Sequence, residues 1–496
     1  MIRSLIGFQV SATPGREWQV ASCTDGSLGP VVVSADLSDL ESAVALAEQA
    51  FPIFAELDLA DRARFLRAIA DEIEADQEAI LASAQRETAL PLARFQGELA
   101  RTCFQLRCNA EWSESGDWLD IRKDPALPDR KPAPKPELRS AMLPLGPVVV
   151  FGAANFPLAY STAGNDTASA LATGCPVIVK SHPAHPETSW RVGLAIVRAA
   201  QSTDMPEGVF SLLFDDGLEV GQGLVVHPAI SAIGFTGSRA GGNAILKAAQ
   251  ARPTPIPVYA EMSSVNPTFV LNGARGGHSE NFAKDLVASV TLGVGQFCTN
   301  PGIVILVGDD PSDFLSDFSE KLSAVAKTTM LTDGIAAAYE RGLANLAALG
   351  AKPLFEATPG GPAAFVIDHA AFLAEPEFQQ EVFGPSTLFV TCPGLAEAVE
   401  IARKMEGQLT AGIHGGEHEL AAAHPLFAEL ARIAGRVMVN QFPTGVEVSN
   451  AVVHGGPHPS TSDGRTTSVG HRALHRWTRP VCYQNVPEFL LPKVLR

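Results

Sequence analysis

A chain of 496 residues is too long for one ordinary hydrophobic core and predicts at least two α/β lobes with a cleft between them. The 54 Asp and Glu against 37 Lys and Arg give a formal charge of −17, which argues against a nucleic-acid or anionic-membrane surface and for a small-molecule partner. Seven scattered cysteines without CxxC pairing point to a reducing, cytoplasmic compartment, and MIRSLIGFQV has neither the apolar run nor the cleavage pattern of a secretory leader.

In chain order, residues 38–51 place Leu40, Ala43, Val44, Ala47 and Phe51 on one helical stripe, and Ser38 with Glu41 has capping-box spacing. Phe65, Leu66, Ile69 and Ile73 repeat the pattern, with charged residues on the opposite face. Between Leu119 and Gly146 the prolines at 125, 128, 132, 134 and 136 forbid a helix or a central strand. This stretch reads as an extended linker or, in the favoured reading, as an arm that adds strands to a neighbouring subunit, because the C-terminal RPVCYQNVPEF could pair with it. Buried strands are then predicted at 148–151, 176–180, 210–214, 232–235 and 257–261, separated by helical stretches. That alternation implies a doubly wound, mainly parallel sheet with its ligand site at the carboxyl ends of the strands. No GxGxxG follows the first of these strands; GAANFP stands there instead. A second alternation, with strands at 268–271, 302–307, 386–390, 409–414 and 435–440, predicts a second α/β lobe.

Three residues invite chemistry. Cys298 sits in the glycine-flanked GVGQFCTNPG, where backbone can approach a ligand; a thiol there is either a nucleophile or a buried structural sulfur. Glu261 ends the strand PVYAE, a placement that suits a general base as well as a solvated carboxylate. Asn155, just after the first buried strand, offers an amide donor or a local turn cap.

Together LPLGPVVVFGAANFPL, PVIVK, GFTGS, AEMSSVNP, GQFCTNPG and EVFGPSTLF, in that order, resemble the aldehyde dehydrogenase superfamily from about residue 20 to the end. The resemblance implies a Rossmann-type doubly wound cofactor lobe (1–118 and 147–258), a second α/β catalytic lobe (259–470) and a small β oligomerisation arm (119–146 and 471–496) that builds a homodimer or homotetramer. It makes Cys298 the nucleophile, Glu261 the base that activates water, and Asn155 with the Cys298 N–H the oxyanion donors. It places Lys180 at the adenosine ribose, Gly237 and Ser238 at the pyrophosphate, and Glu381 with Phe383 at the nicotinamide ribose. Where many NAD-preferring relatives carry Glu, this chain has Pro183, flanked by His182 and His185; NADP is therefore the preferred expectation and NAD the alternative.

The C-terminal stretch from Asn440 to Asn485 resembles the α-ketoglutaric semialdehyde (2,5-dioxovalerate) dehydrogenases and, less closely, the fatty aldehyde dehydrogenase of luminous bacteria. The expected reaction is oxidation of the semialdehyde to its acid, with an aliphatic aldehyde as the alternative. Phe156 and Phe442 are candidate pocket walls. A cysteine esterase or thioesterase, or a binding protein that keeps the fold without the reaction, remain as rivals; neither a metal nor a membrane is expected.

Overall fold

The computed structural model describes residues 1–23, 25–275 and 279–496, with backbone only at Ser279 and Glu280. The first lobe is built on a seven-stranded sheet in the order 258–261, 232–236, 148–151, 177–180, 210–213, 5–6, 9–10. The five longer strands run parallel; Leu5–Ile6 adds antiparallel to Phe210–Leu213, and Gln9–Val10, antiparallel to it, forms that edge. Helices cover both faces, so these strands read as continuous apolar runs: Val148, Val149, Val177, Ile178, Val179 and Leu212 have no exposed surface. From Val148–Phe151 the chain winds first towards 177–180 and 210–213, then returns to the other side at 232–236 and 258–261. The crevice at the switch point therefore opens between the carboxyl ends of Val148–Phe151 and Ala232–Thr236.

The second lobe carries another seven-stranded sheet in the order 352–353, 363–368, 386–392, 303–307, 268–270, 408–414, 434–439, parallel throughout except for its first pair. Arg122–Asp124, Leu138–Pro144 and Thr478–Gln484 form a separate antiparallel three-stranded sheet, so the proline-rich excursion does pair with the C-terminal segment.

Three details differ from the sequence reading. Helix Leu37–Ala55 is capped by Asp36, whose carboxylate accepts from the N–H groups of Ser38 and Asp39 at 2.8 and 3.0 Å; Ser38 spends its hydroxyl on the same carboxylate. A charged acceptor outcompetes the hydroxyl for the free N–H groups. Arg62, on the face expected to be solvated, is 2% exposed and donates to the carbonyls of Thr173, Ala55 and Leu57. The sequence pattern predicts no strand at Ala363–Asp368, which lies between a Gly/Pro-rich loop and a short helix that obscure its period.

Candidate active site

Cys298 follows a tight 3-10 segment, Leu292–Gly295, in which Gly293, Val294 and Gly295 all take positive φ of 59–65°. At Gly295 a side chain is excluded twice over, by φ and because a Cβ would lie 2.2 Å from the Gly384 carbonyl carbon. The kink brings Gln296 and Phe297 against the Asn155–Phe156 loop that follows strand Val148–Phe151. Asn266, from the AEMSSVNP motif, locks that turn: its side-chain amide donates to the carbonyls of Cys298 and Asn300 at 2.9 and 2.8 Å. Its Oδ1 accepts from Ser264 and Thr410.

Glu261 ends its strand 2% exposed. Ser468 Oγ donates to Glu261 Oε2 at 3.0 Å, and His454 Nε2 lies 3.0 Å from Oε1. The same imidazole nitrogen is 3.4 Å from Cys298 Sγ, so His454, itself fully buried, reaches both thiol and carboxylate, which also face each other directly. Ligand-type atoms of Glu261, Cys298 and His454 all lie within 4.8 Å of one another. The Asn155 side-chain amide donates to Gln296 O at 3.0 Å, two residues before the thiol.

Electrostatics divide this cluster. Burial first, then the neighbouring Glu261 charge, pushes the Cys298 thiol well above its ordinary value, so the sulfur rests protonated at neutral pH. Burial alone would raise Glu261 as well. The facing His454, the Ser468 hydroxyl and the thiol together outweigh it and hold the carboxyl below its usual range, ionised at neutral pH.

The loop that presents Asn155 and Phe156 is gripped by one face of helix Leu92–Ser115. Glu98, with no exposed side-chain surface, accepts from the Leu158 and Ala159 N–H groups at 2.9 and 3.0 Å and pairs with Arg94 at 2.6 Å. Gln105 donates to Ala159 O, and the Arg94 guanidinium lies 4.3 Å over the Phe156 ring and 5.3 Å from that of Phe297. Phe156 and Phe297 meet edge-on at 5.1 Å beside Cys298. Phe442 is not brought to this wall; it packs on His414 and Phe282 in an aromatic cluster of the second lobe, with centroids at 4.8 and 5.3 Å.

Along the switch-point crevice, Ser238 caps helix Arg239–Gln250, its Oγ accepting from Gly241 N at 3.2 Å. Gly237 N–H is spent on Glu261 O, which leaves the N–H groups just after it for a ligand. Glu381 is half-buried and shares a pocket with Phe297 and Phe383. It also opens onto a cleft of about 800 Å³ lined by Ser263, Arg239, Glu406 and Gly407. Arg239 and Glu406 bridge the two lobes with paired contacts at 2.8 and 3.0 Å. Farther along, buried Lys180 donates to Asp215 O. Half-buried Pro183 follows His182, whose ring stacks on that of His185 at 5.6 Å and accepts from Ala184 N–H. Burial, with the charges of His185 and Lys180, pushes His182 down to about 3, so it is a neutral ring. A carboxyl facing a cleft beside a capped helix N-terminus and small residues fits a dinucleotide.

Sequence reading missed His454, Ser468, Asn266 and the polar face of helix Leu92–Ser115. His454 carried no signal beyond lying in the C-terminal stretch; Asn266 lay inside a quoted motif.

Comparison with known proteins gives the family. Residues 11–343 match the aldehyde dehydrogenase family. Alpha-ketoglutaric semialdehyde dehydrogenase 2 of Azospirillum brasilense is 49% identical over 476 residues, 94% of this chain and 90% of that one. Alpha-ketoglutaric semialdehyde dehydrogenase of Acinetobacter baylyi is 44% identical over 477 residues, with the same coverage of 94% and 90%. The solved structure of the aldehyde dehydrogenase KauB from Pseudomonas aeruginosa superposes with a TM-score of 0.83 at 22% identity, covering 97% of this chain and 96% of that one, which shows a shared fold. With a matched family model over most of its length and relatives at this identity, the chain belongs to the aldehyde dehydrogenase family and is an oxidoreductase that acts on aldehydes.

Proposed function

We propose that this enzyme oxidises α-ketoglutaric semialdehyde, a five-carbon 2-oxo acid with a terminal aldehyde, to the diacid through a thioester on Cys298. The observation that carries the chemistry is the cluster of Cys298, His454 and Glu261, with reacting atoms within 4.8 Å. The two relatives at 49% and 44% identity support the substrate.

As sulfur bonds to the carbonyl carbon, the thiol proton passes to His454 Nε2 at 3.4 Å, and Glu261 at 3.0 Å stabilises the imidazolium that forms. The alkoxide takes hydrogen bonds from the Asn155 amide and the Cys298 N–H, replacing the Gln296 carbonyl as the Asn155 partner. A bound nicotinamide supplies the hydride acceptor. Water then attacks the thioester carbonyl, its proton goes to Glu261, and the acid leaves as the thiol re-forms. Steady-state assays with α-ketoglutaric semialdehyde, succinic semialdehyde, glycolaldehyde and long aliphatic aldehydes test the reading; a higher kcat/KM for the aliphatic series would reject it.

The cofactor residues follow the same reading: Lys180 at the adenosine ribose, Gly237 and Ser238 at the pyrophosphate, Glu381 and Phe383 at the nicotinamide ribose. Residues 1–118 with 147–258 form the dinucleotide-binding domain and 259–470 the catalytic domain. The three-stranded arm of 119–146 and 471–496 joins subunits as a dimer or tetramer, which light scattering would read directly. Pro183 in place of a carboxylate favours NADP. Neutral His182 contributes hydrogen bonding there rather than charge.

Burial, reinforced by the Glu261 charge and opposed by hydrogen bonds from Ser263 and Ser264, pushes Glu381 up to about 7. Only its ionised form accepts from both ribose hydroxyls. Dinucleotide affinity therefore tightens about fivefold as pH rises from about 6 to about 8, one charge-assisted bond's difference. Fluorescence titration should show this rise and its loss in Glu381→Gln. The same titrations run with NADP and NAD decide the cofactor; a strong NAD preference would reject the NADP reading.

A further inference from the structure

Arg101 and Arg436 reach the same place from different lobes, one from helix Leu92–Ser115 and the other from strand Ala434–Val439. Both are pinned to a single loop. Arg436 donates to Gly445 O and Pro443 O at 2.8 and 2.7 Å, and Arg101 donates to Val446 O. That loop is tied to the nucleophile segment, because Gly445 N–H donates to Thr299 Oγ1 at 3.3 Å. Tyr160 completes the group: its ring lies 5.5 Å from Phe156 and 6.0 Å from His454, centroid to centroid.

Neither guanidinium takes part in an ion pair among the described residues, in contrast to Arg94 with Glu98 and Arg476 with Asp166. Two buried nitrogens of the group, Arg101 Nη2 and Arg436 Nε, have no hydrogen-bond partner, and the Tyr160 hydroxyl faces the Arg101 guanidinium. Two half-buried cations held near one another without an anion are costly, and unpaired donors add to the cost. Burial, with Arg101 adding to it, already pulls the Arg436 guanidinium below its ordinary value, and the Cys298 and Tyr160 groups act in the opposite direction. What the group lacks is a negative charge. An anion there would lie beside Phe156 and near Cys298, at the end of a short substrate rather than at the dinucleotide crevice.

We propose that Arg101, Arg436 and the Tyr160 hydroxyl form the subsite for the carboxylate of a short ω-oxo acid, holding it while the aldehyde carbon rests against Cys298 Sγ. This deepens the semialdehyde reading and rests on it. Two guanidiniums and a hydroxyl supply enough donors for both carboxylate oxygens. The Phe156 and Phe297 rings flank the carbon chain between its two ends. A neutral aldehyde of equal length would leave both cations desolvated and unpaired, so the subsite selects by charge as well as by size.

The test compares kcat/KM for α-ketoglutaric semialdehyde and for pentanal, which has the same carbon count and no carboxylate. In Arg101→Gln and in Arg436→Gln the ratio of the two is expected to fall by about tenfold to a hundredfold, through KM for the semialdehyde. Arg101→Lys and Arg436→Lys, which keep a cation and most of the stem, should retain part of the preference. Calorimetric binding of the product diacid to the full-length enzyme should weaken by a similar factor in the Gln variants, independently of turnover. An equal loss on both aldehydes with the ratio intact, or diacid binding unaltered in folded variants, would overturn the subsite and leave the semialdehyde reading standing. A wild-type preference for pentanal would instead remove the substrate reading beneath it.

Discussion

Cys298→Ala is expected to lower turnover of every aldehyde by at least about ten-thousandfold while the protein remains folded. The sulfur makes the only bond between protein and substrate carbon that the proposed route requires, and no other described cysteine shares its surroundings. Cys103, Cys175 and Cys392 are buried structural thiols donating to backbone carbonyls. Cys298 is half-buried, and replacing it removes one weak contact to His454 together with a small volume. The unfolding midpoint should therefore move by a few degrees at most, about what 1 kcal/mol does in a domain of this size. Dinucleotide titration of the variant should still saturate, because the proposed dinucleotide residues Glu381, Ser238 and Lys180 are untouched. Turnover within tenfold of wild type would show that the nucleophile has been misassigned.

The second large effect falls on the base. Glu261→Gln should release about one equivalent of reduced cofactor per site, more slowly than wild type because the charge beside His454 is lost, and then turn over about a hundredfold to ten-thousandfold more slowly still, since thioester hydrolysis loses its proton acceptor. The same substitution has an opposite signature on the thiol. Burial and then the Glu261 charge raise the Cys298 thiol, so removing that charge lets it titrate at lower pH. Alkylation of the resting enzyme at a fixed neutral pH should therefore become faster in Glu261→Gln even as catalysis slows. A structural role alone would slow both. Stopped-flow absorbance and a pH series of alkylation rates read the two effects separately.

Much of this architecture can be read from the chain. Strands such as VVVF and VIVK are continuous β-branched runs because both faces of a parallel sheet are covered, and their predicted and observed bounds agree within a residue or two. Cys298 and Glu261 stand in recognisable motifs at the ends of such elements. His454 does not: it lies 156 residues after the thiol, among glycines and valines, and only the meeting of distant segments gives it a partner on each side. The face of helix Leu92–Ser115 that holds Arg94, Glu98, Arg101 and Gln105 reads as an ordinary solvated stripe. It is buried because the loop after Val148–Phe151 folds over it and fills its hydrogen bonds. Half-buried Phe442, also beside a strand, meets Phe282 and His414 in the second lobe.

Peptide mass spectrometry of enzyme quenched in acid during turnover with excess aldehyde tests the central claim most directly. The acyl mass is expected on the peptide containing Cys298, accumulating in Glu261→Gln and disappearing on treatment with hydroxylamine. An acyl group on any other residue, or none on Cys298 while reduced cofactor is being formed, would contradict it.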